Sequence, residues 1–209
     1  MPLFYQHTIN ATTRLAVWHI TEQPEFFTEH VSLKNTVTHP HKRLQHLAGR
    51  YLLKHLQPDF PVDSIRIEPS KKPVLPENKY HFSISHCGDY AAAIISEKNT
   101  VGIDVEIITP KIEKVETKFL NEEELILLEK NNSLGKHIEL ATLFWSAKEA
   151  MFKWYGKGSL SFKQNLLIRQ LDFAKNEGVI TAQFSKEFIQ DLKIEYRLFD
   201  SLCLAWVAE

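Results

Sequence analysis

Cysteine is scarce in this chain: among 209 residues only Cys87 and Cys203 occur, far apart and without a CxxC spacing. That removes a cysteine-built metal site, and reduced thiols in the cytoplasm are the expected state. Long apolar runs are missing too. None approaches the roughly 20 residues that cross a bilayer, so no membrane segment is expected. The opening residues, Met1-Pro2-Leu3-Phe4-Tyr5-Gln6-His7, lack a basic stretch followed by an apolar one, so no signal peptide is expected. Nor does either sign of charge dominate. Lys+Arg number 25 and Asp+Glu 26, for a net charge of -1, which argues against a nucleic-acid binder. Low-complexity segments, short repeats and a phosphate-binding glycine loop (GxxxxGK followed by Ser or Thr) are all absent.

What is present suits a globular protein. The chain is 44% hydrophobic and 24% charged, enough to bury one good core or two small ones. Arg14 to Ile20 reads as a strand. Over residues 40–57, Leu44, Leu47, Ala48, Tyr51, Leu52 and Leu56 recur every three or four residues, which predicts a helix that Pro58 and Pro61 stop. A proline-bracketed basic loop follows at 69–73. His81–Ser85, Ala91–Ser96 and Val101–Ile108 read as strands, with a hairpin turn at Asn99-Thr100 joining the last two.

Asn121 before Glu122-Glu123-Glu124 marks a helix start, because the Asn side chain caps and the acids suit the positive end of the helix dipole. A longer helix is expected from about 136 to 156, ended by Gly156 and Gly158. Val179–Phe184, Lys193–Phe199 and Leu202–Val207 read as strands, the last two joined across Asp200-Ser201. The expected class is α+β, in two halves of similar size, 1–106 and 107–209.

Four clusters carry chemistry. In Val101-Gly102-Ile103-Asp104-Val105-Glu106, strand alternation sends Asp104 and Glu106 to one face. Such a pair suits Mg²⁺ or Mn²⁺; the competing reading is an edge strand with an acidic solvent face. In Trp145-Ser146-Ala147-Lys148-Glu149-Ala150-Met151-Phe152-Lys153, a helix puts Glu149 and Lys153 on one stripe beside Trp145. That stripe is either a surface ion pair or the source of a third carboxylate. In Phe82-Ser83-Ile84-Ser85-His86-Cys87-Gly88, a histidine and hydroxyls at a strand end can meet a phosphate or simply be solvated. Lys42, Arg43, Arg50, Lys71 and Lys72 scatter positive charge, with Arg43 and Arg50 on one helix face.

Taken together, in this order, these stretches resemble the phosphopantetheinyl transferases of the larger, single-chain, surfactin-synthetase-activating type. The resemblance runs from about Lys42 to Ile168. It is most specific at GIDVE (102–106) and WSAKEAMFK (145–153), supported by Lys72-Pro73, SISHC (83–87) and GKGSLSF (156–162). It implies two α/β halves related by a pseudo-twofold, with coenzyme A in a cleft between them. It implies that Asp104, Glu106 and Glu149 hold Mg²⁺, for which Mn²⁺ can substitute, and that Lys153 and Lys148 lie near the phosphates. His86 would bind the 3′-phosphate, helped by Lys72 and Arg43, with Arg50 and Ser85 nearby.

Glu149, or Glu124 with Glu122 or Glu123 as the alternative register, would assist deprotonation. The implied activity is Mg²⁺-dependent transfer of the 4′-phosphopantetheine arm to a serine of an apo acyl or peptidyl carrier protein, by a cytoplasmic monomer. Many relatives carry serine where this chain has Cys87, a poor hydrogen-bond donor. The other readings are a non-catalytic coenzyme A or carrier-binding module, and a different Mg²⁺-dependent phosphotransferase or pyrophosphatase.

Overall fold

In the computed structural model, which describes residues 2–33, 37–77, 79–132, 135–174 and 176–209, strand alternation begins at once. Leu3–Asn10 (β1) alternates half-buried and exposed side chains, as a strand with one wet face does. It pairs with Thr13–His19 (β2), which is buried almost throughout. After Pro24–Thr28 (α1) comes Pro40–Leu56 (α2), close to the expected helix. A short ribbon, Arg66–Ile67 (β3) with Pro73–Val74 (β4), carries the basic loop. His81–Cys87 (β5) and Tyr90–Ser96 (β6) then complete an antiparallel sheet ordered β1-β2-β6-β5. Leu47, Leu52, Leu53 and Leu56 of α2 pack with Ala16, Trp18, Phe82, Ala91 and Ala93 of that sheet, forming one core.

The second sheet is ordered β7-β11-β10-β9-β8: Val101–Ile107 (β7), Leu166–Ala174 (β8), Glu177–Ser185 (β9), Ile189–Leu198 (β10) and Leu202–Ala208 (β11). Between β7 and β8 lie Glu116–Phe119 (α3), Glu122–Asn131 (α4), His137–Tyr155 (α5) and Phe162–Asn165 (α6). Asn121 and Glu124 close a reciprocal capping box at the start of α4, and Gly156, with φ 73°, ends α5 in the left-handed conformation that glycine tolerates. Leu140, Phe144, Ala147 and Met151 of α5 pack with Ile180, Phe184, Ile194 and Tyr196 to make a second core.

The chain separates into two compact units, Met1–Val101 with Ala208, and Gly102–Val207 with Glu209. The α+β class holds. The expected hairpin at Asn99-Thr100 does not: β6 and β7 belong to different sheets. The Ser96 side chain instead accepts from the backbone N–H groups of Lys98 and Asn99, turning the chain out of β6. Among the described residues, no helix is long and apolar enough to cross a membrane.

Candidate active site

The second unit brings one face of β7 against one stripe of α5. Gly102, Asp104 and Glu106 share a strand face by period-two alternation, and that face runs along the helix from Trp154 to Trp145. Gly102 lies where the helix backbone passes: a Cβ there would fall 2.7 Å from Trp154 N and closer still to Ala150 O. Only glycine allows that approach. Asp104, 2% exposed, faces Lys153, whose Nζ lies 2.6 Å from Oδ1. Glu106 accepts a hydrogen bond from Trp145 Nε1 at 3.2 Å. Trp145, Glu149 and Lys153 are four residues apart in turn, so they lie on one stripe of α5. The opposite face of β7, with Val101, Ile103 and Val105, is buried. On this outermost strand of the sheet, Asp104 is therefore turned inward and Glu106 is half-buried.

The electrostatics of this contact are strained. Burial pushes the Glu149 carboxyl up to about 7; Asp104 and Glu106 push it the same way, and Lys153 opposes them. Asp104, Glu106 and Glu149, the first paired with Lys153, make an oxygen-rich donor set suited to a hard divalent cation. The chemistry fits, although among the described residues no group of His, Cys, Asp or Glu is already drawn together to hold a metal ion. Lys153 supplies the counter-charge at Asp104 instead. Beside Glu106 opens a cavity of about 240 Å³ lined by Thr109, Ile112, Thr142 and Trp145 among others.

Two expected site residues lie elsewhere. Lys148 is fully buried, and its ammonium donates to Glu124 Oε2 at 2.7 Å, Phe162 O at 2.8 Å and Phe119 O at 2.9 Å. Burial lowers its pKa to about 8, with Glu124 opposing, so it remains charged at neutral pH with all three donors used. Glu124 is 1% exposed. Its Oε2 also accepts from Asn121 N and its Oε1 from Ile168 N. A coenzyme A contact for Lys148 and proton removal by Glu124 are therefore replaced by an internal pair that ties α4, α5, α6 and β8 together. Glu122 and Glu123, the alternative register, are exposed on the first turn of α4. The Lys153 partner is also new: Lys153 reaches Asp104 on the strand, where the spacing suggested Glu149.

In the first unit, α2 crosses the β5 face that carries Ile84 and His86. A Cβ on Gly49 would lie 2.6 Å from Ile84 Cγ2, so the helix seats closely there. This places His46 beside His86, with ring centroids 5.3 Å apart. Burial lowers the His46 pKa, and His86, Arg50 and Lys42 lower it further. His46, His86, Arg50 and Lys42 thus form a basic patch suited to an anion. His46 was not singled out from sequence, though it lies four residues from both Lys42 and Arg50 and so on their stripe. Arg43 is exposed, Lys72 is half-buried in the β3–β4 region and Ser85 is buried within β5.

Comparison with known proteins bears on the family of the chain. A family model described as the 4′-phosphopantetheinyl transferase superfamily matches residues 100–207. This chain belongs to that superfamily. It is similar to the 4′-phosphopantetheinyl transferase AcpT of Escherichia coli (strain K12), 32% identical over 126 residues that cover 55% of this chain and 59% of AcpT. The 4′-phosphopantetheinyl transferase psf-1 of Bacillus pumilus is 30% identical over 123 residues, covering 54% of this chain and 50% of psf-1. The counterpart gsp of Aneurinibacillus migulanus is 36% identical over 81 residues, covering 37% and 32%. The chain thus spans about half the length of the curated relatives it matches. The superfamily match contains the whole β7–α5 contact, while the patch around His46 and His86 lies outside it.

Proposed function

We propose that this chain transfers the 4′-phosphopantetheine arm of coenzyme A to a serine hydroxyl of an apo acyl or peptidyl carrier protein. The supporting observation is the placement of Asp104 and Glu106 on β7 opposite Glu149 and Lys153 on α5, in a chain of this superfamily. Asp104, Glu106 and Glu149 would hold Mg²⁺ or Mn²⁺, which neutralises charge on a pyrophosphate when bound. Lys153, released from Asp104, adds positive charge to the phosphates. A carboxylate of this cluster, Glu149 in the first instance, would take the serine proton. The serine oxygen bonds to the phosphorus that bears the pantetheine arm. The bond from that phosphorus to the leaving phosphate breaks, and adenosine 3′,5′-bisphosphate departs.

The basic patch of His86, His46, Arg50 and Lys42 is assigned to a phosphate of coenzyme A. In this reading Lys148 and Glu124 hold the fold and take no part in the chemistry. The test incubates the protein with coenzyme A, Mg²⁺ and several apo carriers, followed by intact-protein mass spectrometry. The expected result is a Mg²⁺-dependent gain of one phosphopantetheine, abolished by Glu149→Gln. Coenzyme A binding without any gain of mass on the carriers would instead favour a binding module.

A further inference from the structure

The stripe of α5 that faces Glu106 presents an aromatic where the neighbouring turns present charge. Trp145 lies between two rings, Phe119 at 5.0 Å in an edge-to-face contact and Phe162 at 5.5 Å, with Phe152 behind Phe162 at 5.8 Å. Those two rings come from α3 and α6, and their backbone carbonyls are the ones that accept from Lys148. One buried ammonium, itself fixed by Glu124, thus anchors both walls of the slot that holds the indole. At the open end of that slot the indole N–H points at Glu106 Oε1.

We infer that Trp145 is a positioning residue: its N–H, aimed by the Phe119–Phe162 slot that Lys148 clamps, fixes the Glu106 carboxylate for cation binding. This rests on the metal-site reading above. A hydrogen bond to a carboxylate ligand limits the orientations in which it can meet the ion, and losing such support commonly weakens metal affinity about tenfold or more. A tryptophan that only filled space would not do this, because phenylalanine would replace it.

The test is Mn²⁺ binding to the full chain without coenzyme A, followed by electron paramagnetic resonance, for Trp145→Phe, Glu106→Gln and the double variant. The expected result is about tenfold weaker binding for Trp145→Phe, with melting temperature little changed and no further loss in the double variant beyond Glu106→Gln. Wild-type affinity in Trp145→Phe, or losses that simply add in the double variant, overturns the positioning role. If Glu106→Gln itself binds Mn²⁺ like wild type, the metal-site reading falls, and this inference with it. Should Trp145→Phe fail to fold, Phe162→Leu keeps the N–H and loosens only the slot. Several-fold weaker Mn²⁺ binding is expected there, and unchanged binding refutes the inference.

Discussion

Lys153 of α5 reaches across to β7 and sets its Nζ 2.6 Å from Oδ1 of Asp104, a carboxylate only 2% exposed. The lysine occupies the position of charge that a cation would claim. Removing it takes the ammonium away from a buried carboxylate, so Lys153→Met should melt earlier than wild type in chelator. Added Mg²⁺ should then raise the melting temperature of the variant by more than that of wild type, while transfer activity falls. Thermal melts with and without Mg²⁺ check this. Equal increments in both proteins would mean that the ion does not approach Asp104.

Lys148 and Glu124 make the opposite kind of pair, closed on all sides by protein. Lys148→Met leaves the Glu124 carboxylate buried without its ammonium and frees the carbonyls of Phe119 and Phe162. Breaking one side of such a pair costs about 3–5 kcal/mol. Chemical denaturation should show that loss, with any rise in the KM for coenzyme A of the folded fraction no larger than that of Phe162→Leu, which loosens the same slot. Full stability with a raised KM would return Lys148 to the coenzyme A site.

The chemistry-bearing half of the molecule was legible where local periodicity controls structure. GIDVE shows the period of two that sends Asp104 and Glu106 one way, and WSAKEAMFK shows the spacing that aligns Trp145, Glu149 and Lys153. The cap at Asn121 and the stop at Gly156 are local signals too. Pairing is not local. Ala91–Ser96 and Val101–Ile108 read as consecutive strands, yet their ladders lie in different sheets, and no residue between them says so. β1 escaped notice because Phe4 and His7 break its alternation, the phenylalanine on the exposed face and the histidine on the half-buried one.

Lys148 misled for a different reason. Its place near the phosphates was implied by the family resemblance of WSAKEAMFK, and lysines are almost never fully buried unless paired. The available signal was its setting: Ser146, Ala147, Ala150 and Met151 bury the helix around it.

Gly102 makes a steric prediction that charge does not enter. A methyl group there would overlap Ala150 O and come within 2.7 Å of Trp154 N, both backbone atoms of a long helix that cannot move aside singly. Gly102→Ala should therefore destabilise by about 3 kcal/mol or more, since α5 must lift off β7. Gly135→Ala is the control. Its φ is +66° and a Cβ there meets nothing within 4 Å, so only backbone strain of about 1–2 kcal/mol is expected. Melting curves of the two variants should separate clearly, and a Gly102→Ala protein as stable as Gly135→Ala would show that β7 and α5 are less closely seated.

His137, the first residue of α5, lies between two carboxylates: Nε2 is 2.8 Å from Glu116 Oε2 and Nδ1 is 3.1 Å from Glu129 Oε1. Burial works against its charge, but Glu116, Glu129 and the more distant Glu113 outweigh burial and raise its pKa above 6.5. A histidine whose folded pKa exceeds its unfolded value stabilises the protein fully below the unfolded value, and that contribution is lost as pH rises through the folded value. The stability difference between wild type and His137→Gln should therefore be larger at pH 6 than at pH 8.5, with α3, α4 and α5 tied most firmly in mild acid. Urea denaturation of both proteins at the two pH values measures it. A difference that does not change with pH would mean that His137 holds these helices as a neutral hydrogen-bonding group and not as a cation.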